Sequence, residues 1–150
     1  MDEKDKEILY WLQKNGRMSI AELAEKVSLS DTPCIRRVKK LEQEGIISGY
    51  SAVVSAKGIG LNVLIYAFVK LQANSDKNAE QFEQQVQALD NVLECSVISG
   101  GHDYLLKIVA RDLEDYEAFV KKSLGKIDAI SGIESTVVLK QNFAKTSLPL

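Results

Sequence analysis

The stretch from Ser28 to Tyr50 has the residue spacing of a short amphipathic helix followed by a turn. Apolar side chains recur every three or four residues at Ile35, Val38 and Leu41, which places them on one helical face. Gly45 predicts the end of the helix, because glycine readily adopts the left-handed backbone that closes one. We therefore predict a helix that buries this apolar side and turns a polar, cationic side to solvent.

The solvent side of this helix carries residue types that contact DNA. Small polar residues occupy its first turn, and four cations follow within five positions. Helices of this kind enter the major groove with their first turn near the base edges. The predicted DNA-binding residues are Ser30 (also the predicted N-cap), Thr32, Pro33, Arg36, Arg37, Lys39 and Lys40. A cationic helix face is more often simply solvated, so the prediction needs support from the rest of the chain.

The overall charge argues against indiscriminate binding to nucleic acid. The 150 residues are 45% hydrophobic and 27% charged, as in folded proteins with room for one ordinary domain or two small ones, and their net charge is −2. Residues 1–50 contain nine basic and nine acidic side chains. Affinity for DNA must therefore come from the local cluster and from several copies acting together, because it scales with the number of phosphates neutralised.

Two capped helices are predicted before the cationic helix. Asp2 is the predicted N-cap of a first helix that ends at Gly16. Ser19 and Glu22 have the spacing of a capping box that opens a second helix. A short connection at residues 28–30 then leads into the cationic helix, which makes a helix-turn-helix. A generic three-helix bundle is the alternative, and the polar and cationic third helix favours DNA binding.

The remainder of the chain changes from helical to strand periodicity. Weak alternation predicts a strand at 50–56, and two glycines in Lys57–Gly60 predict a hinge. The elements predicted after the hinge are a strand at 62–73, a helix from Asp76, strands at 92–99 and 104–110, a helix opened by Asp112 and Asp115, and a strand at 133–142. This β-α-β-β-α-β order is the ferredoxin-like arrangement, with helices on one face of a four-stranded antiparallel sheet.

The other face of the predicted sheet is expected to pack on a second copy of the chain. Leu64, Tyr66 and Phe68 fall on this face, and together they are too apolar for solvent. A two-fold dimer would cover them. It would also set two recognition helices at a fixed separation that suits a palindromic DNA site.

Nothing in the sequence predicts a metal site or a catalytic site. Cys34 and Cys95 are isolated from each other and read as small buried apolar residues, and His102 is the single histidine. An enzyme is an alternative, since ferredoxin-like domains host small-molecule chemistry, but no nucleophile is paired with a base. A protein-interaction module with a purely structural helix-turn-helix is another alternative.

Five short motifs lie in order along the N-terminal third. They are Asp5-x-x-Ile8-Leu9-x-x-Leu12, Asn15-Gly16-Arg17, Glu22-Leu23-Ala24, Val27-x-Leu29-Ser30 and Arg37-Val38-x-x-Leu41-Glu42-x-x-Gly45-Ile46-Ile47. This ordered set resembles the DNA-binding domain of the leucine-responsive regulatory protein/AsnC family. The resemblance implies an α+β chain with a winged helix-turn-helix at 1–49, a linker strand and hinge at 50–60, and an amino-acid-binding and oligomerisation domain at 61–150 that includes the tail.

The run Gly100-Gly101-His102-Asp103-Tyr104-Leu105-Leu106 matches the family signature G-x-x-D-(Y/F). A glycine turn exposes backbone N–H groups that can bind a carboxylate, and Asp103 offers an acceptor for an ammonium group. Glycines that form a tight turn, with Asp103 bonded to that turn, are the commoner use of such residues. The effector-binding residues that the resemblance implies are Gly100, Gly101, His102, Asp103, Ser135, Thr136, Val137 and Val138.

The resemblance also implies the function. It describes a transcription regulator that binds double-stranded DNA and a free amino acid, and the hydroxyls beside valines on the last strand suit an effector with an aliphatic side chain. The tail at 143–150, which ends in T-S-L-P-L, resembles family members that respond to leucine or methionine. We expect a dimer and, as the larger assembly, an octamer of four dimers. The apolar runs are too short for a membrane span, and the first residues, M-D-E-K-D-K-E, are unlike a signal peptide, so we expect a cytoplasmic protein without a cofactor.

Overall fold

Three helices, α1 (Glu3–Lys14), α2 (Ile20–Lys26) and α3 (Asp31–Gln43), pack around a shared apolar core. The structure is a computed structural model that describes residues 1–73 and 75–150. The fully or almost fully buried side chains of this core are Ile8, Leu9, Leu23, Ala24, Val27, Cys34, Val38 and Leu41. They follow the helical spacing of the sequence, so α2 and α3 form the predicted helix-turn-helix.

Both predicted capping interactions of the first two helices are present. Asp2 accepts a hydrogen bond from the Asp5 amide at 2.9 Å, and the Asp5 carboxylate accepts one from the Asp2 amide at 3.0 Å. Ser19 and Glu22 form the same reciprocal pair. Ser30 stands at the N-cap position of α3, but its side chain makes no capping hydrogen bond, so that part of the prediction is wrong.

The turn between α2 and α3 has an unusual backbone at Ser28, whose φ is 53°. The left-handed region is unfavourable for a residue with a side chain. It ends α2, because the Leu29 amide then donates to the Ala24 carbonyl at 2.9 Å. The chain thereby reverses within three residues and starts α3 at Asp31.

The second half of the chain forms a four-stranded antiparallel sheet and two helices. Its elements are β1 (Val63–Leu71), α4 (Asp76–Gln87), β2 (Val92–Val97), β3 (Tyr104–Ala110), α5 (Leu113–Lys122) and β4 (Ile130–Val137), with short 3₁₀ helices at Lys57–Ile59 and Leu124–Lys126. The strand order is β2-β3-β1-β4. This is the predicted ferredoxin-like fold.

The sheet buries alternate residues of its central strands against the helices. Ile65, Ala67 and Val69 of β1 are fully buried, as are Leu106 and Ile108 of β3. The largest fully buried side chain on the helix side is that of Phe82 of α4. Leu64, Tyr66 and Phe68 point to the opposite face, as expected, and are partly exposed.

The predicted strands at 62–73 and 92–99 are each within two residues of the observed bounds of β1 and β2, whereas two other strand predictions differ more from the structure. Residues 51–55 have no regular secondary structure, and the chain then enters a turn, so the predicted strand at 50–56 is absent. A single extended segment needs a neighbouring strand, and no described residue pairs with it here. Strand β4 starts at Ile130 and stops at Val137, whereas the prediction ran from 133 to 142. The tertiary partner decides these limits, because β1 offers pairing positions opposite both ends.

Two burial predictions are also wrong. Ile35 is 36% exposed because it lies at the flank of α3, beside the buried stripe rather than within it. Cys95 is exposed because β2 is an edge strand that α4 covers incompletely. Cys34 is buried, as predicted.

Residue contacts divide the chain into two units. One consists of Met1–Val53 together with Asn142–Leu150, and the other of Val54–Gln141. The sequence analysis had assigned residues 142–150 to the second domain, whereas in the structure they pack with the helices of the first. No helix within the described parts of the chain is long and apolar enough to cross a membrane.

Candidate functional site

Helix α3 presents an exposed polar and cationic side to solvent. Thr32, Arg36, Lys39 and Lys40 are all exposed. At 100° per residue they fall within about 100° of the helix circumference. Arg36 and Lys39 make no hydrogen bond or ion pair with the described residues, and Lys40 approaches Glu44 only at 3.8 Å. Their charges are therefore available to an external anion.

Arg37 differs from the other three cations. Its Nη1 atom lies 2.7 Å from an oxygen of Asp2 and 2.7 Å from an oxygen of Asp5, and Asp5 is 5% exposed. These contacts join α3 to the start of α1. Among the described residues of the predicted DNA-binding set, Arg37 therefore makes the closest ion pairs, and its charge is engaged within the helical unit.

The Arg37 contacts alter the protonation of both carboxyl groups. The Asp5 amide, and then the Arg37 guanidinium, lower the pKa of Asp2. Desolvation raises the pKa of Asp5, but hydrogen bonds from the Asp2 amide and from Arg37 outweigh it, so that the net shift is downward. Hydrogen bonds to the same two aspartates raise the pKa of Arg37. All three groups therefore stay charged at neutral pH.

The first turn of α3 places the remaining predicted residues near its free end. Ser30 is exposed and Pro33 is half-buried. Ile35, which was predicted to lie in the core, is exposed and lies at the edge of the apolar stripe, between Val38 on the buried side and Lys39 on the exposed side in angular position. Its exposure could not be found from spacing alone, because residues at the edge of an amphipathic stripe can face either way.

The glycine turn before β3 has an open geometry. Gly100 has φ 121°, a conformation that side chains rarely adopt. A Cβ atom added at Gly100 or Gly101 would meet no heavy atom within 4 Å, so the space beside the turn is free. The amides of Gly100, Gly101 and His102 make no hydrogen bond with the described residues. The turn thus offers three N–H donors beside open space.

Asp103 has a definite structural role in the turn. Its Oδ2 atom accepts a hydrogen bond from the Leu71 amide at 2.8 Å, next to the irregularity in β1 at Lys70 and Leu71. Its own amide donates to the Val69 carbonyl at 2.9 Å. The alternative considered from the sequence was a hydrogen bond from Asp103 to its own turn, whereas the structure shows the carboxylate bonded to the backbone of β1. Oδ1 makes no hydrogen bond with the part of the chain described, so the carboxylate keeps one free acceptor.

His102 connects the turn to the last strand. Its Nε2 atom lies 3.3 Å from Oε2 of Glu134 on β4, and its ring is 5.4 Å from that of Phe68 on β1. Since β1 lies between β3 and β4, these three side chains span the open face of the sheet. The sequence analysis missed Glu134, which carries no motif and is identified only by the strand register.

The four predicted residues of β4 do not form one cluster. Ser135 is opposite Ala67 on the helix side, and its hydroxyl lies 2.6 Å from that of Tyr116. Val137 points to the same side as Ser135, whereas Thr136 points to the open face. Val138 follows the strand and donates its amide to the Leu64 carbonyl at 2.9 Å. Of these four predicted residues, Thr136 is the one whose side chain lies on the same face of the sheet as Glu134.

A pocket separate from the glycine turn lies between α4 and the edge strand β2. It has a volume of about 370 Å³, and its walls include Glu83, Val86, Cys95 and Val97. The Tyr104 hydroxyl donates to Glu83 at 2.5 Å, and burial together with this carboxylate raises the pKa of Tyr104. Among residues 1–73 and 75–150, no group of three or more His, Cys, Asp or Glu side chains could hold a metal ion.

Comparison with known protein families decides which class of protein has this arrangement. Residues 64–148 match the family described as the Lrp/AsnC ligand binding domain, which is more than half of the chain. Residues 1–48 match winged helix-turn-helix DNA-binding domains. The chain belongs to the Lrp/AsnC family. It is therefore a DNA-binding transcriptional regulator with a ligand-binding domain, and not an enzyme.

Individual members of the Lrp/AsnC family agree with this assignment over nearly the whole chain. Transcriptional regulator AzlB of Bacillus subtilis is 35% identical over 150 residues, which cover 100% of this chain and 96% of AzlB. The leucine-responsive regulatory protein of Escherichia coli K12 is 35% identical over 141 residues, or 94% of this chain and 86% of that protein.

Solved structures of Lrp/AsnC proteins share the fold. A transcriptional regulator of Neisseria meningitidis, crystallised as a complex with L-methionine, superposes with a TM-score of 0.95 at 35% identity and covers 99% of this chain and 96% of its own. AsnC of Escherichia coli superposes with a TM-score of 0.90 at 29% identity, covering 97% of each chain. The predicted family, fold class and function as a transcriptional regulator are thus confirmed.

Proposed function

We propose that this protein reads DNA through the exposed side of α3 and adjusts its DNA affinity to a free amino acid bound at the glycine turn. The observation that carries the proposal is the open turn at Gly100–Asp103, joined through His102 to Glu134 on β4. In such a regulator, effector and DNA are reciprocally coupled, because each changes the affinity for the other by the same factor.

The DNA interface of the proposal consists of the exposed residues at the first two turns of α3. Arg36, Lys39 and Lys40 neutralise phosphates. Thr32 and Ile35 are placed to contact base edges, and both have methyl groups that can pack against thymine methyls. Ser30 and Pro33 position the first turn on the DNA backbone. Arg37 acts on this surface indirectly, by securing α3 to the start of α1.

The effector site of the proposal binds both ends of a free amino acid. The free amides of Gly100, Gly101 and His102 bind the carboxylate, as successive N–H groups in a turn do. The free Oδ1 of Asp103 accepts from the ammonium group. Thr136 and Glu134 border the site on β4, and Ser135, Val137 and Val138 support it from within and behind the strand.

An aliphatic effector of the leucine or methionine type fits this proposal. The neighbour from Neisseria meningitidis was crystallised with L-methionine, and at 35% identity its ligand is a reasonable first choice for this chain. Phe68 and the apolar open face beside His102 supply a surface for an uncharged side chain. Direct contact with DNA places the action of the protein in the cytoplasm.

The proposal also includes assembly of the chain into dimers and of the dimers into an octamer. The open face of the sheet carries Leu64, Tyr66 and Phe68, and a second copy packed there by two-fold symmetry would remove their exposed surface from water. Residues 50–60 act as the linker between the DNA-binding domain and the remainder, as the sequence analysis expected. Four dimers forming an octamer would place several α3 helices on one DNA segment and raise affinity by effective concentration.

A thermal-shift screen of the twenty amino acids tests the effector. Leucine or methionine should raise the melting temperature, because a ligand that binds the folded state stabilises it. Asp103→Asn is the informative variant, since the amide oxygen can still accept from Leu71 while the negative charge is lost. This variant should keep the unliganded melting temperature and lose the shift. An undiminished shift in Asp103→Asn would place the ammonium site elsewhere.

Selection of bound duplexes from a random DNA library tests the DNA interface. The protein should enrich a palindromic sequence and retain preference for it as salt rises, since only the phosphate contribution is screened. Enrichment of no sequence, with binding that disappears at moderate salt, would favour the alternative of a structural helix-turn-helix.

A further inference from the structure

Residues 142–150, here named the clasp segment, pack with the three-helix unit although they follow the last strand of the sheet. From the sequence, these residues were predicted to form the tail of the second domain. The chain therefore passes between the two units twice, once after Val53 and once after Gln141. The second passage gives the DNA-binding unit a connection that a simple tandem of two domains would lack.

Gln13 on α1 binds the main chain of the clasp segment through both ends of its side-chain amide. The Leu148 amide donates to Oε1 of Gln13 at 2.6 Å, and Nε2 of Gln13 donates to the Leu148 carbonyl at 3.2 Å. A side-chain amide that satisfies both polar groups of one residue imitates strand pairing. This contact is therefore directional and depends on the backbone of Leu148.

A cavity of about 340 Å³ lies beside the contact between Gln13 and Leu148. Its walls include Leu12 of α1, the segment Ile46–Tyr50, and Thr146, Leu148 and Leu150 of the clasp segment. Ile46–Tyr50 is the stretch by which the chain leaves α3 toward the linker. The Tyr50 hydroxyl donates to Glu42 near the end of α3 at 2.9 Å. The clasp segment thus lies where the DNA-binding unit is connected to the rest of the chain.

The two hydrogen bonds between Gln13 and the backbone of Leu148 do not depend on burial of Leu148, which is 73% exposed. Pro149 restricts the preceding residue to an extended backbone, which is the conformation that presents its N–H and C=O to one amide group. Substitutions at Leu148 that keep the backbone should therefore be tolerated, whereas a residue without an N–H should not.

We propose that the clasp segment transmits effector binding from β4 to the DNA-binding unit. Strand β4 carries Glu134, the partner of His102 at the proposed effector site, and the chain that leaves β4 at Val137 continues into the clasp segment. The clasp segment has two states, one held by Gln13 and one released from it. An effector that shifts the end of β4 changes the equilibrium between these two states. In the released state the clasp segment no longer borders Ile46–Tyr50, the stretch that follows α3, and the affinity of the protein for DNA changes.

This inference rests on the effector site proposed above, and coupling requires an element with two states that both ligands influence. The held state is defined by the two Gln13 hydrogen bonds. Released and held forms differ only by these bonds and by the contacts around the cavity, so that a modest ligand energy is sufficient to shift their ratio. Binding of effector and of DNA can each remain intact when the clasp segment is disconnected.

Amide hydrogen exchange of the full-length protein tests the held state directly. In the wild type the Leu148 amide should be protected, and Gln13→Ala should speed its exchange about tenfold, the effect of losing two hydrogen bonds of ordinary strength. Leu148→Ala should leave protection of residue 148 unchanged. Free exchange at Leu148 in the wild type would overturn the inference.

Anisotropy titrations test the transmission. The DNA probe is a duplex selected from a random library by the wild type, and the effector probes are L-leucine and L-methionine. We expect the wild type and Leu148→Ala to change DNA affinity about fivefold or more on addition of one of these amino acids. Gln13→Ala and Leu148→Pro should keep the thermal shift with the amino acid and lose the change in DNA affinity.

Two results would contradict the inference in different ways. If the wild type shows neither a thermal shift nor a change in DNA affinity with any of the twenty amino acids, the proposed function and the inference both fail. If the wild type responds and Gln13→Ala responds equally, the effector site stands and the clasp segment is not the connection. The double variant Gln13→Ala/Leu148→Pro should match each single variant, since both remove the same contact.

Discussion

Arg36 and Arg37 are adjacent on α3 and make different contacts. The Arg36 guanidinium is exposed and makes no ion pair with the described residues, whereas Arg37 bridges Asp2 and Asp5 across the interface of α3 with α1. The sequence pattern placed both among the DNA-binding residues because each is a cation beside the exposed helix face. The neighbouring acids of α1 separate the two roles.

Replacing Arg37 should destabilise the helical unit. Arg37→Ala leaves the Asp5 carboxylate, which is 5% exposed, without its cationic partner. We expect the melting temperature at pH 7 to fall by about 5 °C. Arg36→Ala is the matched control and should leave it unchanged, as calorimetry of both variants would establish. Equal melting temperatures for the two variants would contradict the structural role of Arg37.

The same ion pairs predict the response to acid. Folding lowers the pKa of Asp2 and Asp5 below their ordinary value of 3.8, so the unfolded chain binds more protons in this range than the folded chain. The stabilisation is therefore complete above about pH 4 to 5 and is lost as the pH falls through the lowered folded-state values. Unfolding monitored by circular dichroism should show a steeper acid transition in the wild type than in Arg37→Ala.

Arg36 and Lys39 should contribute to DNA binding through phosphates. Each alanine variant should weaken binding to all sequences alike and reduce the slope of log affinity against log salt by about 1 per chain. Lys122→Ala, which removes an exposed cation from α5, should leave affinity and slope unchanged. Unaltered slopes in both α3 variants would exclude these side chains from the phosphate contacts.

At the scale of elements, two serines at helix N-caps provide an internal comparison. The Ser19 hydroxyl accepts from the Glu22 amide, and its own amide donates to Glu22. Ser30 occupies the equivalent position of α3 without a side-chain capping bond. A serine in front of a helix therefore predicted the helix start correctly in both places, and the hydrogen bond in only one.

Ser19→Ala should lower the free energy of unfolding by about 1 kcal/mol, the usual cost of a lost N-cap. Ser30→Ala should change it by less than about 0.5 kcal/mol, because no capping bond is lost. Urea denaturation of the two variants measures the difference. A comparable loss in Ser30→Ala would show that its hydroxyl caps α3 in solution.

Local signals located the elements of the sheet well and their limits less well. Alternation in residues 62–73 predicted β1 and its buried side, because a strand with one covered face must alternate. The same reasoning failed for 50–56, which alternates weakly and has no partner strand among the described residues, and for the start of β4, which was predicted at 133 and lies at Ile130. Pairing of Gly132 with Lys70 extends the strand in that direction.

At the scale of the whole molecule, the open face of the sheet is the surface on which we propose that a second chain packs. Tyr66 and Phe68 are partly exposed there, with the Glu94–Lys107 ion pair and the His102–Glu134 contact at its margins. An apolar centre with charged margins is the usual construction of a protein interface. We expect two chains to meet on this face.

Phe68→Glu should weaken the dimer about 100-fold or more, because two-fold symmetry places the substitution in the interface twice. Sedimentation velocity over a range of concentrations measures the change. Lys122→Glu is the control for added negative charge and should sediment as the wild type does. A Phe68→Glu variant that remains dimeric with the wild-type dissociation constant would move the interface to another surface.

The sequence by itself determined the helix-turn-helix, the ferredoxin-like order and the family, because these depend on the spacing of apolar residues, caps and glycines along the chain. Tertiary structure alone decided which contacts the residues of the candidate sites make. Arg37 meets two acids brought from α1, Ser135 turns to the helices while Thr136 does not, and Glu134 reaches His102 across a strand. Gln13 binds Leu148 from the far end of the sequence. Such contacts join residues distant in the chain, and local spacing carries no information about them.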